Sequence, residues 1–206
     1  MFTGIVQAVG EITGVEDLGL GKKLTIDAPA LGLDDVGIGD SIAVNGACMT
    51  VTAKTDRSFT IDVSAESLSK TAGLDRPGPV NLEKSLRFGD RIDGHLVSGH
   101  VDGTGIVQTL EPHGESTLLI VDAPGALARY FAYKGSVAVN GVSLTINRVE
   151  DLPPQQLGEG RCRLWINLIP HTVAVTTLRL LAPGAGVNLE VDMIARYVER
   201  MLRLQA

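Results

Sequence analysis

Cysteine is scarce, with only Cys48 and Cys162 in 206 residues, in unrelated contexts and without CxxC spacing. That argues against a disulfide framework or a thiolate zinc site, and fits a reducing compartment. Basic charge is not in excess either, because 18 Lys and Arg stand against 24 Asp and Glu for a formal charge of −6. Such a balance carries no electrostatic footprint for nucleic acid or an anionic membrane. No apolar run approaches the roughly 18 residues of a membrane span, and the opening MFTGIVQAVG lacks the basic head and long apolar stretch of a signal peptide. A dinucleotide fingerprint is missing too, since Gln108 follows Gly103 and Gly105 where GxGxxG needs its third glycine. These shortages leave a small molecule as the expected ligand and the cytoplasm as the expected location, with no metal and no nucleic-acid or membrane partner.

What is present is a globular composition, 44% hydrophobic and 20% charged, in a chain long enough to bury a sizeable core. It is also written twice. Shifted by 95 residues, Gly4 falls on Gly99, Val6 on Val101, Gly10 on Gly105 and Asp27-Ala28-Pro29 on Asp122-Ala123-Pro124. SIAVNGACMTVT (Ser41 to Thr52) meets SVAVNGVSLTIN (Ser136 to Asn147) with six of twelve positions identical. After an insertion around Glu150 to Gly160, Ile61 pairs with Ile166, Thr71 with Thr176, and Val80-Asn81-Leu82-Glu83 with Val187-Asn188-Leu189-Glu190. The units are therefore expected at residues 1–95 and 96–191, followed by a C-terminal segment, 192–206.

Each unit carries about six short β-branched runs broken by Gly, Asp and Pro, among them GIVQAVGEI, KLTIDAP, SIAVNG, CMTVT, SFTIDVS and VNLE. That pattern predicts an all-β fold of two small barrels or sandwiches. The C-terminus instead places Met193, Ile194, Tyr197, Val198, Met201 and Leu202 on one helical stripe. Such a stripe caps its own barrel or packs against sister helices in an oligomer.

Asn-Gly between alternating strands predicts a type I′ hairpin, because that turn needs positive φ at both central residues. With Asn45-Gly46 as the turn, Ser41 faces Thr50 and Ala43 faces Cys48, while Ile42, Val44, Met49 and Val51 point to the core. The second copy repeats this with Ser136, Ala138, Ser143 and Thr145 on the small polar face. Such a face offers a shelf for a flat heterocycle; an ordinary solvated hairpin face is the plain alternative.

The motifs MFTGIVQ, SIAVNGACMTV, SGHVDGTG, KGSVAVNGVSLTI, LIPHT and VNLEVDMIARY, spread over nearly the whole chain, resemble riboflavin synthase of the alpha-chain type. The resemblance implies two tandem six-stranded Greek-key β-barrels, a C-terminal α-helix, and a homotrimer with active sites between the first barrel of one subunit and the second barrel of a neighbour. It implies a dismutation in which two 6,7-dimethyl-8-ribityllumazine molecules exchange a four-carbon unit, giving riboflavin and 5-amino-6-(D-ribitylamino)uracil, without a cofactor. Association with lumazine synthase is a further possible partnership. Carried over by residue, the first barrel would hold substrate through Gly4, Ile5 and Val6, through Cys48, Met49 and Thr50, and along Asp62, Val63, Ser64, Ala65, Glu66 and Ser67. The second would use Gly99, His100 and Val101, then Lys134, Ser143, Leu144 and Thr145, and Leu168, Ile169, Pro170, His171, Thr172 and Val173. Ser41 and Asp192 match positions the family associates with activity. Departures are Ala47 in place of a second cysteine, Ser67 in place of a threonine, and Asp93 where a glycine often precedes Gly94-His95, which removes support for a role of His95.

The lumazine ring is its own electron sink, since proton loss from its ring-carbon-seven methyl gives a delocalised anion. Holding two rings face to face is worth roughly 7–11 kcal/mol of barrier. His100 is the expected general base or acid, because it replaces Ile5 of the first unit and an imidazole changes state near neutral pH. A five-residue separation on a strand would point His95 and His100 to opposite faces, which excludes them as a metal pair. Cys48 is a candidate nucleophile or a ring contact, Ser143 bonds the acceptor ring or orients a water, and Asp192 is an N-cap or a proton partner. The competing function is a non-enzymatic lumazine- or flavin-binding protein on the same duplicated barrel, which needs one good pocket and no proton-transfer groups.

Overall fold

The computed structural model of the chain describes residues 1–153 and 160–203. Most of the expected insertion and the last three residues of the expected C-terminal segment lie outside the described residues. The first barrel is built from β1 (Ala8–Asp17), β2 (Lys22–Asp27), β3 (Ser41–Val44), β4 (Ala47–Lys54), β5 (Ser58–Val63) and β6 (Gly78–Lys84), with a short helix α1 (Ala65–Lys70) before β6. The second repeats it as β7 (Gly103–His113), β8 (Ser116–Pro124), β9 (Ser136–Val139), β10 (Val142–Leu152), β11 (Arg161–Leu168) and β12 (Gly186–Val191), with α2 (Pro170–Val175) after β11 and α3 (Met193–Arg203) closing the described chain. Both sheets close in the same cyclic order, β1-β2-β5-β4-β3-β6 and β7-β8-β11-β10-β9-β12, with every pair antiparallel. Closure removes free sheet edges.

The duplication extends to irregularities. A bulge between Ile12 and Gly14 recurs between Val107 and Thr109, and one between Val51 and Ala53 recurs between Ile146 and Arg148. All four positions keep the 95-residue offset, as expected where an extra residue bends a strand so that a small sheet can close. The hairpin registers are those expected: Ser41 opposite Thr50 and Ala43 opposite Cys48, with Ser136 opposite Thr145 and Ala138 opposite Ser143. Both turns have positive φ at Asn45 (47°) and Gly46 (83°), and at Asn140 (47°) and Gly141 (79°).

The turns have a second function that periodicity does not reveal. They meet tip to tip, so close that a Cβ on Gly46 would lie 2.7 Å from the Gly141 nitrogen. Four asparagines tie this junction. Asn81 Nδ2 donates to the Asn140 carbonyl and Asn188 Nδ2 to the Asn45 carbonyl, each at 2.9 Å. The Asn81 and Asn188 backbone N–H groups donate to the Asn45 and Asn140 side-chain oxygens. Each barrel otherwise has its own apolar core, filled by residues such as Ile12, Leu24, Ile42 and Ile61 in the first and Val107, Leu119, Ile146 and Leu164 in the second.

Three sequence expectations change here. The run GIVQAVGEI is not one strand, because β1 starts at Ala8 and residues 1–7 form an arm. Phe2 of that arm pairs with Val97 of the equivalent arm, through N–H···O bonds of 2.7 and 3.0 Å. The two arms cross between the barrels, where Phe2, Val97, Ala43 and Ala138 form a small buried core of their own. The centre of the supposed shelf is therefore roofed by the arms; its rim, Ser41, Cys48 and Thr50 with Ser136, Ser143 and Thr145, is partly or fully exposed.

The third change concerns α3, which does not cap its own barrel with its apolar stripe. Ile194, Tyr197, Val198, Met201 and Leu202 are between 49% and 67% exposed. The helix is fastened by its polar side instead, through Arg196 to Asp102 (2.7 Å) and Glu199 to Arg129 (3.0 Å).

Candidate active site

Because the arms cross, each hairpin is completed by the arm that belongs to the other repeat. The Cys48 N–H donates to the Gly99 carbonyl at 2.8 Å, and the Ser143 N–H donates to the Gly4 carbonyl at 2.8 Å. Val101 packs against the first barrel's core and Val6 against the second's. This reverses the assignment made from the sequence: Gly99, His100 and Val101 serve the first barrel, and Gly4, Ile5 and Val6 the second. The contacts leave no room for side chains. A Cβ on Gly99 would lie 2.6 Å from Cys48 Cβ, and one on Gly4 would lie 2.6 Å from Ser143 Cβ. Both glycines also have positive φ, 78° and 75°, which L-residues adopt at a cost.

The first site is a cavity of about 280 Å³ lined by Ala47, Cys48, Met49, Glu66, Ser67, Lys70, Thr71, Gly99, His100 and Val101. Cys48 is a half-buried free thiol and His100 is exposed. Ser64 caps α1, accepting from Ser67 N–H at 3.1 Å, and the Thr71 hydroxyl closes the same helix on the Ser67 carbonyl at 2.7 Å. The cap fixes Ala65, Glu66 and Ser67 beside the cavity. Lys70 and Thr71 were not predicted; their signal was the helix that follows SFTIDVS, which strand-pattern reading passed over. Of the predicted contacts, Val63 is buried in the core, Met49 packs there too, Thr50 is exposed on the rim, and Asp62 is exposed on the outer face of β5. Ser41 does not join this cavity. It borders a separate charged cleft with Gln7, Asp35, Asp40, Lys84 and Arg87.

The second site lies at the equivalent place on the second barrel. Half-buried Ser143, exposed Thr145 and exposed Lys134 lie on or beside β10, while Ile5, 46% exposed, stands where His100 stands in the first site. On α2, Pro170 and His171 are exposed, Thr172 and Val173 are half-buried, and exposed Ile169 occupies the N-cap position. Leu144 and Leu168 are core residues. At the 105-residue offset His171 replaces Glu66, Thr172 replaces Ser67 and Val175 replaces Lys70, so the second wall is the less acidic and the less basic.

A further residue missed in the sequence is His95. Its Nδ1 is 2.7 Å from Ser143 Oγ, and its backbone N–H donates to the Thr3 carbonyl at 3.1 Å. Asp93, the departure from the family pattern beside this loop, is exposed and paired with Arg91 at 3.2 Å. Gly94 lets the loop approach, since a Cβ there would meet Ser143 Cβ at 3.0 Å. Burial pushes the His95 imidazole below its usual range, opposed by the charge of nearby Asp192. Its Nε2 is buried without a hydrogen-bond partner among the described residues. Asp192 accepts the Ile194 N–H at 2.9 Å, so it caps α3 and also acts on His95 through its charge. The spacing argument about the two histidines fails in its premise, because residues 95–101 are arm rather than strand.

The sequence model described as lumazine binding domain matches this chain twice, over residues 3–85 and 98–192. Riboflavin synthase of Mycobacterium tuberculosis is 45% identical over 206 residues, covering 98% of both chains. Riboflavin synthases of Photobacterium phosphoreum and Bacillus subtilis are 41% and 39% identical over 204 residues, 98% of this chain and 89% and 90% of theirs. Among solved structures, LumP complexed with riboflavin superposes with a TM-score of 0.78 at 24% identity, over 93% of this chain and 99% of that one. LumP complexed with 6,7-dimethyl-8-(1'-D-ribityl) lumazine gives 0.75 at 23%, with the same coverage. At that identity the LumP likeness establishes a shared fold.

Proposed function

The chain belongs to the riboflavin synthase family, a family of enzymes built on two lumazine-binding domains, and from that premise we propose how its two sites divide the reaction. Two 6,7-dimethyl-8-ribityllumazine molecules enter; one gains four carbons and leaves as riboflavin, and the other leaves as 5-amino-6-(D-ribitylamino)uracil. The observation that carries the proposal is the crossing of the arms, which makes two sites of one design but different chemistry. One joins Cys48 to His100, and the other joins Ser143 to His95 with an aliphatic Ile5 in the place of His100.

At the Ser143 site, the depressed His95 imidazole is neutral near pH 7 and takes the hydroxyl proton through Nδ1 at 2.7 Å. That makes Ser143, or a water in its place, the nucleophile toward an electrophilic ring carbon. Asp192 stabilises the imidazolium as it forms. At the Cys48 site, exposed His100 exchanges the methyl proton, while Cys48, Thr50, Glu66 and Ser67 hold the ring; Cys48 is a contact or a nucleophile. Gly99, Val101, Gly4 and Val6 contribute backbone, as do Met49, Leu144 and Leu168, whose side chains belong to the cores. Lys134, Thr145 and the α2 residues Ile169 to Val173 hold the second ring, and no resident cofactor takes part. Ser41, in its separate cleft, is assigned only to the approach of the ribityl chain.

The exposed apolar face of α3 supports a homotrimer in which these helices pack together and bring the Cys48 site of one subunit against the Ser143 site of the next. The test is incubation of the purified protein with 6,7-dimethyl-8-ribityllumazine alone. Riboflavin absorbance should appear with an equimolar pyrimidine product, and a bound but unchanged lumazine would overturn the proposal.

A further inference from the structure

The repeated Val-Asn-Leu-Glu run contains one residue that neither the barrel cores nor the proposed chemistry uses. Its asparagines tie the two turns together, but Glu83 and Glu190 do something else. Each is almost wholly buried, at 4% and 3% exposure. Glu83 Oε1 receives the Thr3 N–H and hydroxyl at 2.6 and 2.7 Å, and its Oε2 receives the Gly4 N–H at 3.0 Å. Glu190 Oε1 receives the Ser98 N–H and hydroxyl, both at 2.6 Å, while Oε2 receives the Gly99 and His100 N–H groups at 2.9 and 3.1 Å. Burial pushes both carboxyls above their ordinary range, against the pull of these bonds. Every partner is a donor, so the set suits a carboxylate and not a carboxylic acid.

A buried charge is costly even when well bonded, and a neutral side chain would serve if only strand packing were needed. These carboxylates grip the stretch of arm that then touches the reacting hairpin. Glu190, on the second barrel, holds Ser98 to His100, whose Gly99 carbonyl receives the Cys48 N–H of the first barrel at 2.8 Å. Glu83, on the first barrel, holds Thr3 and Gly4, whose carbonyls receive the His95 and Ser143 N–H groups at 3.1 and 2.8 Å.

We infer that Glu83 and Glu190 are positioning residues that act crosswise: Glu190 sets the Cys48–His100 geometry, and Glu83 sets the His95–Ser143 pair. The inference rests on the synthase reading for its kinetic consequence and on geometry alone for its structural one. Glutamine is the informative substitution, because its amide nitrogen turns donors toward donors while keeping the volume.

The test uses full-length Glu83→Gln and Glu190→Gln with carbon-13-labelled histidine, following each imidazole by NMR across pH, beside steady-state riboflavin formation. Glu190→Gln should displace the His100 resonances and leave those of His95 in place, whereas Glu83→Gln should do the reverse. Each should lower kcat at least tenfold while KM moves less than threefold. If Glu190→Gln does not fold, Ser98→Ala, which deletes one donor to the same carboxylate, should show the same shift at smaller size; Thr3→Ala is its counterpart for Glu83. A variant that lowers Tm but leaves kcat and both sets of resonances as in the wild type would overturn the proposal, as would equal displacement of both histidines by either variant. A wild-type chain that makes no riboflavin would sink the synthase reading instead, and the two sets of resonances would still decide whether the carboxylates hold the arms.

Discussion

Substituting Gly99 by alanine tests the crossing of the arms at its tightest point. The backbone there has φ of 78°, and the new Cβ would meet Cys48 Cβ at 2.6 Å and both the Cys48 nitrogen and Phe2 Cε2 at 2.9 Å. The left-handed conformation costs an L-residue about 1–2 kcal/mol, and forcing a methyl into packed surroundings costs about 1–3 kcal/mol. Loosening the Cys48 N–H···O bond to Gly99 adds about 1 kcal/mol. The sum, roughly 3–6 kcal/mol, corresponds to a fall in Tm of roughly 6–24 °C for a chain of this size. Gly39→Ala is the matched control, because Gly39 has φ of 95° and nothing within 4 Å of a Cβ. It carries only the conformational cost, or about 2–8 °C. Thermal unfolding of both variants, with riboflavin formation measured where both are folded, separates the two contributions. Gly99→Ala should also lose most of its turnover, since the methyl pushes His100 and Cys48 apart. Equal Tm losses for the two variants, with full activity in Gly99→Ala, would refute the crossed-arm contact.

His95→Gln and Ser143→Ala should each lower kcat about 10²- to 10⁴-fold in riboflavin assays, with a Tm loss no larger than one hydrogen bond explains. The pH profile follows from the depressed His95: turnover should fall on an acid limb whose midpoint lies below the ordinary 6.5. Folding favours the neutral ring, so its contribution to stability is complete above the unfolded pKa and lost as pH falls through the lowered folded value; denaturant melts of His95→Gln should lack that dependence. A water-soluble thiol reagent should label one equivalent per native chain, at Cys48. Cys162 is wholly buried with its thiol pushed up to about 12, chiefly by burial, so rapid labelling of two equivalents would contradict the core assignment. Tyr197→Asp, placed on the exposed face of α3, should shift sedimentation from the proposed trimer toward monomer while the strand signal in circular dichroism is kept.

Much of this protein is legible in the sequence because the informative interactions are local or repeated. Asn45-Gly46 and Asn140-Gly141 specify their turns from two residues, the turns set the cross-strand partners of Cys48 and Ser143, and alternation then sorts Ile42, Val44, Met49 and Val51 into the core. Duplication in one register tells that both halves do the same thing, and the substitutions within it, Cys48 for Ser143 and Ile5 for His100, point to where they differ. What alternation cannot tell is what lies over a face. Alternation makes Ala43 and Ala138 an open shelf, yet they are sealed by Phe2 and Val97, because the arms are placed by a pairing between residues 95 apart. His95 gave no local signal at all, since its meaning is a 2.7 Å approach to Ser143, 48 residues on. The stripe on α3 was visible as a period, yet only the ion pairs of Arg196 and Glu199 decide that it faces outward.

Sequence by itself thus determined an all-β fold of two like units, the register of the two Asn-Gly hairpins and much of the chemical inventory of the sites, through turn chemistry and side-chain period acting over a few residues, while the closed barrels were what the family resemblance implied. Tertiary structure alone decided which arm completes which hairpin, because that choice is made by hydrogen bonds between segments distant along the chain, from the Cys48 and Ser143 N–H groups to the Gly99 and Gly4 carbonyls.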